Sequence, residues 1–84
     1  MINFKQEELI DNLMAQIRQR YPEVVLIDVV ESPESSSSLW INVSSPEDED
    51  RELELLEFAS ELVTDIHLDY GYHMLVMPTR KAAA

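Results

Sequence analysis

The sequence predicts an α+β domain of the order α-β-β-α-β, a two-layer sandwich in which two helices lie on one face of a three-stranded mixed sheet. Two long segments repeat apolar residues at the spacing of amphipathic helices, and three short segments have the composition of strands. The connection between the first two strands is too short for a parallel crossover, which predicts an antiparallel hairpin. The second helix separates the last two strands, which predicts a right-handed crossover between parallel strands.

The first helix is bounded by clear signals at both ends. Asn3 and Gln6 have the types and spacing of a capping box, which predicts that the helix begins after Asn3. Pro22 disfavours helical backbone at the residue before it, which predicts the end of the helix at Tyr21. The apolar face that should lie on the core comprises Leu9, Ile10, Leu13, Met14, Ile17 and Tyr21.

The first two strands are predicted from different patterns. Residues 24–30 form a run rich in β-branched residues that only Asp28 interrupts, which predicts a strand covered on much of both faces. Residues 31–38 contain a proline and four consecutive serines and predict a flexible connection. The second strand alternates, which predicts one core face made of Leu39, Ile41 and Val43.

The second helix and the last strand follow. Ser45 and Pro46 have the types preferred at the N-cap and first helical position, and carboxylates follow in the first turn, where the helix dipole favours them. The single glycine, Gly71, stands where a left-handed residue would end the helix. Residues 72–77 predict a strand stopped by Pro78, with contacts on both faces or an interior position in the sheet. The apolar face of the helix comprises Leu55, Leu56, Ala59, Leu62, Val63, Ile66 and Tyr70.

Length and composition predict a single domain over residues 1–81, because 84 residues leave no room for a second core. We expect residues 82–84, all alanine, to be a disordered tail or a non-native remnant. The chain has no cysteine, which excludes disulfides, thiolate nucleophiles and cysteine-bound metal. With no secretory leader pattern and no run long enough to cross a bilayer, the sequence predicts a cytoplasmic protein that does not enter membranes.

The charge balance restricts the partners. Seventeen acidic and six basic residues give a formal charge of −11, which repels nucleic-acid backbones and anionic lipid surfaces. We therefore expect no nucleic-acid partner, and a basic protein is electrostatically the easier one. The exposed acids at the start of the second helix are candidate contacts for it, namely Glu47, Asp48 and Asp50.

No group of residues has the pattern of a catalytic, cofactor or metal site. The acids at residues 47–50 lack the spaced ligands and central glycine of a calcium loop. His67 and His73 lie on different predicted elements, so their spacing favours partly buried, hydrogen-bonded histidines over a metal site. The serines at 35–38 lack the glycine-flanked elbow and neighbouring histidine of a nucleophile. The sequence therefore predicts a protein that is not an enzyme.

Two helices on one side leave the opposite face of the sheet uncovered. Strand alternation places Trp40 there, together with whichever of Leu26, Val30, Tyr72, Met74 and Val76 share its side. An exposed apolar face of this kind predicts coverage by another chain, and a homodimer is the simplest arrangement. Trp40, Tyr72 and Met74 are the candidate interface residues.

The order and lengths of the elements between Leu9 and Pro78 resemble the small nucleotidyltransferases of the DNA polymerase beta superfamily, the minimal type often paired with a helical partner in bacterial toxin–antitoxin operons. Residues 56–78 are similar to that family's helix, tyrosine-glycine turn and following strand, with the turn at Tyr70 and Gly71.

The residues that the family uses for catalysis are absent. The resemblance implies a Gly-Ser pair after the first strand, where this chain has Glu31 and Ser32, and an Asp-x-Asp on the second strand, where it has residues 39–41, Leu-Trp-Ile. The third carboxylate would fall within residues 74–76, Met-Leu-Val. Two-metal phosphoryl transfer needs those carboxylates, so the resemblance implies a catalytically inactive relative. Two alternatives remain, a nucleotide-binding or nucleotidyltransferase-type domain with an atypical site, and an acidic mimic of DNA.

Overall fold

The computed structural model describes residues 2–35 and 37–79 and has the predicted α-β-β-α-β order. β1 (Leu26–Glu31) pairs antiparallel with β2 (Ser38–Ser44), β2 pairs parallel with β3 (His73–Thr79), and the strand order in the sheet is β1-β2-β3. The predicted α+β class with a three-stranded mixed sheet is confirmed. The prediction for residues 82–84 lies outside the described residues. The two helices are α1 (Phe4–Arg20) and α2 (Glu49–Tyr70).

Both helices bury most of their apolar faces against the same side of the sheet, but Leu56 and Tyr70 of the face predicted for α2 are exposed. β2 is the central strand, and its core side is fully or almost fully buried, as the alternation predicts. α2 packs against β3, and α1 packs against α2. The core cluster comprises Leu9, Ile10, Leu13, Met14, Ile17, Tyr21, Val24, Leu39, Ile41, Val43, Leu55, Ala59, Val63, Met74 and Val76, with Phe58, Leu62 and Ile66 partly buried against it.

α1 has the predicted ends. The Asn3 side chain accepts a hydrogen bond from the Gln6 backbone N–H at 2.7 Å, and the Gln6 side chain accepts one from the Asn3 N–H at 3.0 Å. The helix ends at Arg20, and the Tyr21 N–H donates to the Ile17 carbonyl at 2.8 Å. The predicted capping box and the predicted end of the helix are confirmed, and all six predicted core residues of α1 are buried.

α2 begins later than predicted. The prediction of Ser45 as N-cap and Pro46 as first helical residue is wrong, because Asp48 is the N-cap and its side chain accepts from the Asp50 N–H at 3.1 Å. The Ser45 N–H instead donates to the Thr79 carbonyl at 3.2 Å, so the backbone of Ser45 still continues the sheet. Gly71 ends the helix in the left-handed region with φ of 77°, as predicted.

Both outer strands are less covered than predicted. β1 is an edge strand in which only Val29 is half-buried, so the expected coverage on both faces is wrong. β3 is the other edge strand, which corrects its predicted interior position, and it continues through Pro78 to Thr79. An edge strand tolerates proline because its outer side needs no ladder hydrogen bonds. Composition does not distinguish these positions, because an apolar run has the same composition in an edge strand as in an interior strand.

Candidate functional site

The face of the sheet turned away from the helices carries side chains in two rows that cross all three strands. Val30 pairs with Trp40, and Trp40 pairs with Leu75, which makes one apolar row. Val30 is 39% exposed and Leu75 is 51% exposed, whereas Trp40 is half-buried. The second row is mainly polar. We call the two rows together the open face, which comprises Asp28, Val30, Trp40, Asn42, Leu75 and Met77.

The open face carries little charge. Asp28 is the only one of its six residues with a formal charge, and its carboxylate accepts a hydrogen bond from the Asn42 side-chain amide at 2.6 Å. The whole chain, in contrast, has a formal charge of −11. Because like charges repel, two copies of this chain meet less resistance at the open face than at the acid-rich surfaces of the molecule.

The three predicted interface residues from the sheet region fall in different places. Trp40 lies on the open face. Met74 is 8% exposed and belongs to the core beneath the helices. Tyr72 precedes β3, packs partly buried against the core, and its hydroxyl accepts from the Asn3 side-chain amide at 3.4 Å. Only Trp40 of the three is therefore available to a chain that covers the open face.

Sequence reasoning missed Leu75 and Met77. It indicated Tyr72, Met74 or Val76 as the residues of this segment that share the side of Trp40. Every residue from 74 to 77 is apolar, so the sequence contains no alternation that would show which side each occupies. The parallel register of β2 and β3 shows the side of each residue, because Leu75 lies opposite Trp40 and Met77 lies opposite Asn42.

The acidic candidates form a second surface at the start of α2. Glu47, Asp48 and Asp50 are all exposed. Glu47 and Asp48 line one side of an open cleft of about 860 Å³, and Val25 and Ile27 contribute exposed aliphatic side chains to the same cleft. The cleft therefore combines carboxylates with apolar surface, whereas the sequence had indicated only the carboxylates.

One cation, Arg51, lies in this cleft and is already engaged. Its guanidinium donates hydrogen bonds to the Glu23 carboxylate and to the Arg20 carbonyl, and it stacks 4.7 Å from the centre of the Tyr21 ring. The hydrogen bond from Arg51 holds the pKa of Glu23 below its ordinary value. Both side chains are well exposed, so solvent screens the pair, and its role is to tie the start of α2 to the turn after α1.

The two histidines meet in space. The rings of His67 and His73 lie with their centres 4.0 Å apart and their planes tilted by 43°. Both residues are exposed, so the expectation of partly buried histidines is wrong. Gly71 explains the meeting, because its left-handed backbone turns the chain from the end of α2 directly into β3. Within residues 2–35 and 37–79, no three His, Cys, Asp or Glu side chains converge as a metal site.

The positions that the nucleotidyltransferase resemblance makes important are structural here. Leu39 and Ile41, which stand where the family has its paired aspartates, are buried under the helices. The chain matches no protein-family model, and comparisons with curated proteins and with solved structures find no match either. The resemblance therefore stays a prediction. Across the described part of the chain, neither helix has the length and apolarity needed to cross a membrane.

Proposed function

We propose that this protein is a non-enzymatic interaction protein that acts as a homodimer, with the open face as the contact between copies and a catalytically inactive nucleotidyltransferase-like scaffold beneath it. The observation that carries the proposal is the apolar row of Val30, Trp40 and Leu75, which crosses the sheet on the side without helices. Removal of large apolar side chains from water by a second surface lowers the free energy of the system.

A second copy of the chain fits the open face better than a different, strongly charged protein does. A two-fold axis places the same surface on both partners, so a mostly neutral apolar row meets itself without placing like charges together. Two sheets that pack face to face bury such rows between them, about 10 Å apart. Asp28 and Asn42 lie beside the apolar row. The hydrogen bond between their side chains already satisfies some of the polar groups that the dimer would cover.

The exposed acids Glu47, Asp48 and Asp50 support a further contact with a basic protein. They lie at the start of α2, outside the open face, so a dimer leaves them accessible. Their charge and the neighbouring Val25 and Ile27 suit a segment that combines lysine or arginine with an apolar side chain. In this proposal the homodimer presents two such acidic surfaces.

Trp40 is the only tryptophan, so its fluorescence tests the proposed interface directly. We expect its emission to be blue-shifted and poorly quenched by acrylamide near 100 µM protein, and to shift red with stronger quenching as dilution toward roughly 0.1 µM dissociates the dimer. Free access of acrylamide to Trp40 at the highest concentration would contradict the proposal.

The non-enzymatic part of the proposal makes a separate prediction. A ligand that binds only the folded state raises its melting temperature, by an amount that grows with the ligand concentration relative to Kd. We expect no change in melting temperature with any of the four nucleoside triphosphates and Mg²⁺, each tested at millimolar concentration, because Leu39, Ile41 and the apolar residues 74–76 stand where the resemblance implies carboxylates. A shift produced by one nucleotide with Mg²⁺, and not by Mg²⁺ alone, would favour the alternative of a nucleotide-binding domain.

A further inference from the structure

We propose that His67 and His73 form a binding site for a first-row transition-metal ion, with Zn²⁺, Ni²⁺ and Cu²⁺ as the fitting class. Imidazole is a preferred ligand of all three ions. The two rings lie on one surface with their centres 4.0 Å apart, and both are open to solvent. His73 lies two residues before Leu75 on the same side of β3, so the site adjoins the open face, but metal binding by the two imidazoles does not require the dimer.

The fold holds the two histidines together from both sides. His67 lies in the last turn of α2, and its carbonyl accepts the capping hydrogen bond from the Gly71 N–H at 2.8 Å. His73 is the first residue of β3, whose pairing with Ser38 fixes its backbone. The backbones that carry the rings are thus both anchored, so a bound metal would need to immobilise only the side chains.

The ring separation is shorter than a shared ion requires. An imidazole nitrogen binds zinc at about 2.0–2.1 Å, and tetrahedral geometry places the centres of two rings on one ion roughly 5 Å apart. From the observed 4.0 Å the two rings must move apart by roughly 1 Å to bind one ion. Exposed side chains make such an adjustment by rotating about their χ angles, without disturbing the core.

The electrostatic setting favours a cation. The chain has a formal charge of −11, which raises the concentration of cations near its surface. The part of the chain that the structure describes brings no third His, Cys, Asp or Glu to the pair, so water would complete the coordination. This is the ligand set of an exposed two-imidazole chelate, which selects soft and borderline ions over Mg²⁺ and Ca²⁺, since those two prefer oxygen ligands.

The test is a Zn²⁺ titration of the full, untagged chain, followed by calorimetry and by NMR of the histidine ring protons. We expect zinc to shift the ring signals of both histidines together and to bind about tenfold more tightly to the unsubstituted protein than to His67→Gln or His73→Gln. Asp65→Asn is the matched control, because it removes a nearby negative charge and leaves both imidazoles in place. It should retain the affinity, and a tenfold excess of Mg²⁺ should not displace zinc.

Equal zinc affinity in the unsubstituted protein and in both histidine variants would overturn the proposal, as would a response of only one histidine. Absence of binding at about 1 mM zinc would also overturn it. A loss of affinity in Asp65→Asn as large as that in the histidine variants would assign the binding to general negative charge. Both histidines are exposed, so circular dichroism should show the same fold in all variants.

Discussion

Replacing Ile41 by alanine is expected to lower the free energy of unfolding by about 2–5 kcal/mol. Ile41 is fully buried at the centre of β2, where it pairs with Val29 of β1 and Val76 of β3. Truncation removes apolar contacts with the helices and leaves a cavity that the neighbouring strands cannot collapse to fill. A small domain has a total stability of roughly 5–15 kcal/mol, so this one change removes a large part of it.

Urea unfolding followed by circular dichroism measures the effect, with all proteins at the same concentration because the proposed dimer would also stabilise the folded state. Leu68→Ala is the matched control, since Leu68 is 74% exposed on α2. Its effect should stay within about 0.5 kcal/mol. Equal losses from the two substitutions would contradict the assignment of Ile41 to the core.

Replacing Leu75 by lysine is expected to weaken the proposed homodimer at least about thirtyfold, the equivalent of a hot-spot loss of about 2 kcal/mol. Leu75 lies beside Trp40 in the apolar row and is 51% exposed in the single chain. In the proposed dimer a lysine there would place two unpaired ammonium groups in the contact between the sheets, where burying a charge is costly. In the single chain the same lysine reaches water, so the fold should persist.

Leu53→Lys is the control that separates the interface from a general effect of charge. Leu53 is 59% exposed on α2, outside the open face, and its replacement makes the same change in charge. Sedimentation velocity at several concentrations should show the dimer for Leu53→Lys and the single chain for Leu75→Lys. If the two lysine variants associate equally well, the open face is not the contact.

The helices could be predicted from the sequence in most details because their signals are local. The capping box of Asn3 and Gln6, the stop before Pro22 and the left-handed Gly71 each depend on a few neighbouring residues. The apolar face of α1 follows from helical periodicity alone. The prediction of the start of α2 was wrong because Ser45 and Asp48 both belong to the residue types that cap helices. A tertiary hydrogen bond from the Ser45 N–H to the Thr79 carbonyl, at the end of β3, keeps Ser45 with the sheet and leaves Asp48 as the cap.

The outer strands and the candidate functional residues could not be predicted from the sequence in the same detail. An apolar run such as residues 74–77 does not show which side faces the core, so Met74 was placed at the surface and Leu75 was overlooked. The contact between His67 and His73 depends on the turn at Gly71 and on the direction of β3. The spacing of the two histidines in the sequence specifies neither. Trp40 was placed correctly because β2 alternates, and alternation specifies the face of a strand.

The mass of the unsubstituted protein in solution, measured by light scattering or sedimentation equilibrium near 50 µM, shows whether two copies of the chain associate. We expect twice the 9.7 kDa of the chain, because in the proposed dimer a second copy covers the row of Val30, Trp40 and Leu75. A mass of 9.7 kDa at this and higher concentrations would contradict it.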